Sequence, residues 1–415
     1  MLDTLRQRDF ALLWFGGLIS MMGDWAMFAA LPFYAFEQTG SAFASGAVLT
    51  ALTLPGLLFG TVAGVFVDRW DRKRTMVVAN LLQVLVMPPL LLVRPGESLW
   101  LVYVVAFVMA SVWQFVNPAE NALLPSLVSA DRLMVANSLN AFNDNLARIA
   151  GPALGGLMIA LGGLGGVALL NGVTFLLAAV LIALIRSPAS TRQDADESTE
   201  PVAGGLPSVL REWIEGLKLV VGERRVATLF VILGTAMLAD SVLSALIAPF
   251  VGGVLEAPAS LFGLLLTLRG VGGLIGGVML GNLAAKISAE TILTWSLISV
   301  GAGTIVLAGV PLAPVSMVCA VAIGIPAVGW IASQQSLLQK GVADEYLGRV
   351  FGAFSATTAL MLFVGSLSAG ALADFAGIVA LLMVSAVMYC AAGLLALFLL
   401  GRPQTGGQKI RGSER

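Results

Sequence analysis

Six ionisable residues, Asp24, Glu120, Asp144, Arg148, Asp240 and Arg269, stand inside runs composed mostly of Leu, Val, Ala, Gly and Phe. An ion among hydrocarbon costs about 2.5–3.5 kcal/mol on insertion scales, so each calls for a counter-charge, a proton or a charged ligand. Carboxylates that take up and release protons, or that hold an organic cation, are the chemistry such a set offers. The chain has no histidine, so proton transfer falls to carboxylates and a histidine-bearing metal site is excluded. Its two cysteines, Cys319 and Cys390, sit in apolar segments and give neither a disulfide framework nor a thiolate metal site. With no nucleophile motif and no G-x-x-x-x-G-K-[ST] phosphate loop, an enzyme is not expected and no cofactor is implied.

The positions of these residues narrow their roles. Asp24 lies about 14 residues into the first apolar run, about 21 Å along a helix, and Asp240 lies equally deep in the seventh. Each is either a proton or substrate-cation site, or an acid at an outer helix boundary paired to a polar group. Asp144 and Arg148 are one helical turn apart in the fifth run, able to neutralise each other or to act in proton coupling. Glu120 follows Gln114 and Asn117 in the fourth run; it is a second proton candidate or a contact that holds the bundle shut. Arg269 in the eighth run either meets an anionic substrate group or pairs with Asp240, and the pair is the expected arrangement. Gln334 and Gln335 in the tenth, and Trp25, Phe28 and their aromatic and Met neighbours, are candidates to line a cavity. Soft, adaptable side chains suit varied hydrophobic ligands, while lipid-facing filler is the plainer role for any one of them.

The elements that must carry these residues are read from composition. Hydrophobic residues make up 58% of the 415 and charged ones 11%, far from the soluble norm of about 45–50% and 25%. Apolar runs long enough to span a bilayer fall near 10–36, 45–67, 75–93, 99–123, 134–162 and 165–186. A second set falls near 226–250, 260–285, 290–310, 314–339, 349–373 and 376–400. The fold class expected is therefore an all-α membrane protein with twelve transmembrane helices in two six-helix bundles. The first run is too long for a signal sequence and is expected to remain as a span. All but three of the 23 Lys and Arg residues fall on one side if both termini are cytoplasmic. The exceptions are Arg94 outside and Arg148 and Arg269 within spans, and the bias orients the chain as a multi-pass protein of the cell (inner) membrane. The formal net charge of −1 argues against a nucleic-acid partner.

Domain limits follow: a bundle over 1–186, a cytoplasmic linker over 187–225, a bundle over 226–400 and a cytoplasmic tail over 401–415. Ser187 to Gly205 is polar and turn-rich, and residues 206–221 alternate as a surface amphipathic helix that tethers the bundles. The halves align at an offset of 213 to 216. Phe10…Asp24 lies over Val226…Asp240, Gly60-x-x-x-Gly64 over Gly273-x-x-x-Gly277, and Gly151…Gly156 over Gly365…Gly370.

Two motifs carry a family resemblance. Gly60-Thr-Val-Ala-Gly64-Val-Phe-Val-Asp68-Arg69-Trp-Asp71-Arg72-Lys73-Arg74 strips a helix face of side chains, closes it with an acid and follows with a base cluster. Taken alone, it is also explained as a positive patch that orients the chain. The pattern resembles the loop between helices 2 and 3 of the major facilitator superfamily of secondary transporters, where it forms a cytoplasmic gate. Its second-half copy is degenerate, with Gly281 in place of Asp68. Gly151-Pro152-Ala-Leu-Gly155-Gly156 resembles the helix-5 signature of that superfamily's drug:proton antiporters, with Ala147 replacing the usual first glycine. The arginine common in span 4 of those antiporters is missing. The stretch from Asn117 to Pro152 looks instead like the macrolide-efflux and siderophore-exporter branch.

The resemblance implies two bundles related by pseudo-twofold symmetry, with helices 1, 4, 7 and 10 lining a central substrate site. It implies a secondary transporter, with small hydrophobic or amphiphilic substrates, protons and the lipid bilayer as partners, in a monomer. The function expected is proton-coupled antiport that exports such compounds, as in multidrug or macrolide efflux. Its rivals are export of an endogenous metabolite such as a siderophore, transport of lysophospholipid, and a non-transporting membrane sensor or scaffold.

Overall fold

The computed structural model describes residues 2–94, 98–186, 220, 222–284, 286–342 and 346–400. Among these residues the chain forms helices and no strand, and eleven helices are long and apolar enough to cross a bilayer. In chain order they are α1 (Arg8–Thr39), α2 (Ala42–Arg69), α3 (Arg72–Val86), α4 (Leu99–Leu123), α5 (Leu133–Ala183) and α6 (Arg224–Pro249). They continue as α7 (Ala259–Leu283), α8 (Ala289–Gly309), α9 (Ala313–Gly341), α10 (Leu347–Ala376) and α11 (Ile378–Leu400). The linker Ser187 to Gly205, the amphipathic segment 206–221 except Val220, and the tail 401–415 lie outside the described residues.

The sequence gives two apolar runs, 134–162 and 165–186, where the structure has the single 51-residue α5. The two are joined at Gly163, whose φ of 60° and ψ of −159° are not helical. Only glycine adopts that backbone without strain, so α5 is two helical arms hinged on one residue.

The helices divide into two compact units. The first comprises Met1–Thr39, Ala51–Leu206 and Pro258–Thr267; the second comprises Gly40–Thr50, Pro207–Ala257 and Leu268–Arg415. Two helices are therefore shared. The first turns of α2 belong to the second unit and the first turns of α7 to the first.

Within the first unit, α1 is held against both arms of α5 at glycines. A methyl group on Gly151 would strike the Trp25 Cβ and come 2.8 Å from the Met22 carbonyl; one on Gly155 would strike the Ala26 carbonyl. On the other arm, Asn171 fills the space a side chain at Gly23 would need. Between hydrocarbon-soluble helices there is no hydrophobic drive, so such backbone contact and its dispersion energy are what join them. At one end of the unit, Phe10, Leu13, Val116, Leu139 and Ile182 close a buried cluster. In the second unit Gly365 of α10 meets Ser241 of α6, and Gly301 of α8 meets Cys390 of α11.

One expectation is displaced by a residue. The sequence repeat points to Gly273 and Gly277 as a bare face, yet a side chain at Gly277 would meet nothing within 4 Å. The faces that touch are Gly272 and Gly276 of α7 against Val321, Gly324 and Ile325 of α9. A helix carrying four glycines at 272, 273, 276 and 277 has two such faces, and periodicity alone does not choose between them.

This packing predicts opposite outcomes for two substitutions of glycine. Gly151→Val should destabilise the purified protein by about 1–3 kcal/mol through overpacking against α1. Gly277→Ala should leave the melting temperature in detergent unchanged or raise it slightly, because alanine lowers the cost of helix formation.

Candidate functional site

The first unit gathers its polar residues along α1, α4 and α5. Asp24 is partly buried, and its Oδ2 is enclosed without a hydrogen-bond partner among the described residues. The next residue, Trp25, packs edge-on to Phe28 with ring centres 5.2 Å apart. Over the Trp25 ring, at 5.4 Å from its centre, lies the guanidinium carbon of Arg148. Arg148 is exposed, where a cation over an indole gains about 0.5–1 kcal/mol, so α5 presents its charge to α1 through an aromatic ring. The Gly151 contact one turn along α5 brings the two helices close enough for this.

Closer to the other end of α1, Glu120 of α4 accepts a hydrogen bond at 3.0 Å from Nδ2 of Asn140 on α5. The neighbouring Asn143, buried at 1% exposure, donates from Nδ2 to the Trp14 carbonyl at 2.9 Å. In return Trp14 donates from Nε1 to the Leu139 carbonyl at 2.9 Å. Gly17 makes room for this set: a side chain there would stand 3.4 Å from Asn143 and 3.5 Å from Glu120. Asp144 follows Asn143 on the exposed side of α5. Gln114 spends its amide on the Ala110 carbonyl of its own helix and faces Gly56 and Gly60 of α2. Asn117 is exposed and accepts from Asn121 at 2.8 Å.

The second unit treats its charges differently. Arg269 Nη2 and Asp240 Oδ1 pair at 2.8 Å, the arrangement expected for them. The same carboxylate oxygen accepts from the Tyr389 hydroxyl at 2.8 Å. Tyr389 is fully buried and meets Trp330 edge-on with ring centres 6.0 Å apart. One turn along α9 from Trp330, Gln334 is buried while Gln335 is exposed. Of the aromatic and Met residues of α1, Phe33 stacks on Phe262 and Met27 is fully buried, so both belong to packing rather than to a ligand surface.

The basic loop is tied down by its own side chains. Asp71 caps α3, accepting from the Arg74 amide at 2.7 Å. Arg72 donates to the Ala122 carbonyl at 2.9 Å and Lys73 to the Ile185 carbonyl at 2.6 Å. Both acceptors sit where a helix ends, so the cations neutralise the negative ends of α4 and α5. Gly64, Asp68 and Arg69 keep their places in the backbone of α2, and their side-chain surroundings lie outside the described residues.

Comparison with known proteins agrees with this architecture. The sequence profile of the transmembrane secretion effector family matches residues 1–410. The chain belongs to this family. Among curated relatives, an uncharacterised MFS-type transporter, YfiS, of Bacillus subtilis (strain 168) is 29% identical over 418 residues, covering 96% of this chain and 92% of the relative. The multidrug efflux pump Tap of Mycolicibacterium fortuitum is 29% identical, covering 94% and 95%. The macrolide efflux protein A of Streptococcus pyogenes is 25% identical, covering 89% and 90%. Among solved structures, a bacterial homologue of the iron transporter ferroportin in an inward-facing state aligns with a TM-score of 0.73 at 19% identity, over 95% and 99% of the two chains. The nucleoside transporter NupG aligns at 0.75 with 11% identity, over 94% and 99%. The chain is thus a multi-pass membrane transporter of the major facilitator type.

Sequence reasoning missed Asn140, Asn143 and Tyr389. The signal was there for the asparagines, which stand three apart in an apolar run. Tyr389, one of four tyrosines, gave no spacing to read. The paired cluster predicts that Arg269→Gln costs about 1–3 kcal/mol of stability by leaving Asp240 with the Tyr389 hydroxyl alone. The double variant Asp240→Asn with Arg269→Gln should recover most of that loss in a thermal melt, and Tyr389→Phe should cost less than Arg269→Gln.

Proposed function

We propose that this protein is a secondary exporter of hydrophobic or amphiphilic compounds, driven by inward proton flow through the carboxylates of its first unit. The observation that carries the reading is the contrast between two acids at matching depths. Asp240 is satisfied by Arg269 and Tyr389, whereas Asp24 buries an oxygen with no partner among the described residues. A carboxylate so enclosed is stable when it carries a proton or faces a cationic ligand, and unstable when it carries neither. That is the energetic profile of a loading site.

Counting α5 as two spans gives twelve, in bundles over 1–186 and 226–400, with the linker 187–225 and the tail 401–415 at the cytoplasmic face. Both termini are then cytoplasmic in the inner membrane, and the protein works as a monomer. In this mechanism Trp25 and Phe28 offer an aromatic surface beside Asp24. Arg148, held over the Trp25 ring, places a positive charge on the same face of α5 that meets α1. Glu120, oriented by Asn140, is a second carboxylate of the same unit that could carry a proton. Substrate arriving from the lipid or cytoplasmic side displaces that proton economy, and antiport follows. The multidrug and macrolide efflux relatives support the substrate class, and a carboxylate beside aromatic rings suits lipophilic cations.

The test uses purified protein in liposomes with an imposed pH gradient and a panel of a lipophilic cation, a macrolide, a catechol siderophore and a lysophospholipid. Accumulation of the cation or macrolide against its gradient, lost when the pH gradient collapses, is the expected result. Asp24→Asn should reduce it to the level of protein-free liposomes, while Glu120→Gln should lower it without abolishing it. Full proton-driven transport by Asp24→Asn would remove that residue from the mechanism. Movement of the siderophore or lysophospholipid alone would reassign the substrate, and movement of none would favour a sensor.

A further inference from the structure

We infer that the first unit binds a small monovalent cation, sodium, on the side-chain oxygens of Glu120, Asn140 and Asn143. These residues come from α4 and α5 and meet beside α1. Asn140 donates from Nδ2 to Glu120 Oε1 at 3.0 Å. Glu120 Oε1 and Asn143 Nδ2 both face the bare Gly17, where a side chain would stand 3.5 Å from the one and 3.4 Å from the other. The two asparagines are three apart, so they share one face of the helix. The oxygen of an amide lies about 2.2 Å from its nitrogen, which puts both Asn oxygens in the same neighbourhood as the carboxylate.

An imbalance of hydrogen-bonding character marks the place. Asn140 Oδ1 and Asn143 Oδ1 are enclosed with no partner among the described residues. Asn143 is 1% exposed, and turning its amide would not help. Its Nδ2 is held by the Trp14 carbonyl at 2.9 Å, and a carbonyl takes only a donor. The Trp14 indole is spent on the Leu139 carbonyl. Asn140 is fixed in the same way while Glu120 is ionised, because a carboxylate only accepts. No buried side-chain donor on α1, α4 or the first arm of α5 lacks a partner among the described residues, and Glu120 forms no ion pair among them. Rearranging these side chains therefore cannot satisfy the surplus acceptors, and in so dry a setting they call for a positive visitor.

The donor set selects the ion. Its ligands are all oxygens, with neither thiolate nor imidazole, which suits a hard cation rather than a transition metal. The set carries one formal negative charge, since Asp144 lies on the exposed side of the helix. A monovalent ion leaves the site neutral, whereas a divalent one would leave an uncompensated charge among hydrocarbon. On binding, the Asn140 amide turns to bring Oδ1 toward the ion, which takes over the positive partner that Nδ2 supplies to Glu120.

The site gives an ion to a carboxylate of the transport reading, but its test uses neither substrate nor a pH gradient, so the two fail separately. The purified full chain in detergent is melted at one fixed pH while sodium chloride replaces choline chloride at constant ionic strength, with potassium chloride in parallel. Sodium should raise the melting temperature saturably, by about 2–4 °C at tenfold excess over half-saturation, and potassium should raise it less. Glu120→Gln and Asn140→Ala should each abolish the sodium shift, as should Asn143→Ala. If Asn143→Ala does not fold, Asn140→Ala, at a half-buried position, carries the test. A shift no larger in sodium than in choline would mean that water alone satisfies these oxygens, and would overturn the inference. Equal shifts in sodium and potassium, or a sodium shift that persists in both Glu120→Gln and Asn140→Ala, would overturn it too.

Discussion

An ionised side chain held among hydrocarbon is tolerated only when something nearby returns the solvation it has lost, and the two units meet this constraint in different ways. The second unit answers with a closed set. Asp240 receives Arg269 and Tyr389 on one oxygen, both at 2.8 Å, and the arrangement leaves no charge in need of a visitor. The first unit answers incompletely. Glu120 has one amide donor in Asn140, and Asp24 has an enclosed oxygen without any among the described residues. A satisfied cluster resists change and serves as a fixed point, whereas an unsatisfied one responds to whatever arrives. Function is therefore expected to concentrate where the polar bookkeeping fails to close.

These polar groups depend on how near the helices come, and glycine sets that distance. Trp25 receives Arg148 because Gly151, one turn along α5, admits the α1 backbone. At Gly17 a Cβ would only touch Asn143 and Glu120, at 3.4 and 3.5 Å. At Gly151 it would strike the Trp25 Cβ, so a larger residue there forces α1 and α5 apart. Packing and chemistry are thus one property in this fold, and a substitution that touches no polar atom can still alter the site.

Much of this was legible in the sequence. Apolar runs located the helices because a spanning helix must be long and almost free of charge, and the Asp240–Arg269 pair followed from two unlike charges with no other answer nearby. What was not legible has physical causes. The division of α5 turns on the sign of one φ angle at Gly163, which composition does not reveal because every glycine admits it. The choice between Gly272/Gly276 and Gly273/Gly277 depends on which side α9 approaches, a tertiary fact. Arg72 and Lys73 read as a charge cluster facing water, yet each ends on a main-chain carbonyl of another helix. A carbonyl acceptor has no letter in the sequence, so side chains that serve helix ends are the residues most easily misread.

The same blindness applied to Asp374, which looks like a lone acid near a loop until its partners are seen to be amides. Its donors are the Ala42 and Phe43 amides, at the start of a helix that has no partner for them within itself. α2 then passes from the second unit into the first, and Pro55 lies five residues past the boundary at Thr50. Proline removes a helix hydrogen bond, so the two parts of α2 are packed by their own neighbours: Gly370 and Ser366 of α10 at its start, and Phe115 against Trp70 just beyond its end. A helix named as one element is in this way held by two different sets of contacts.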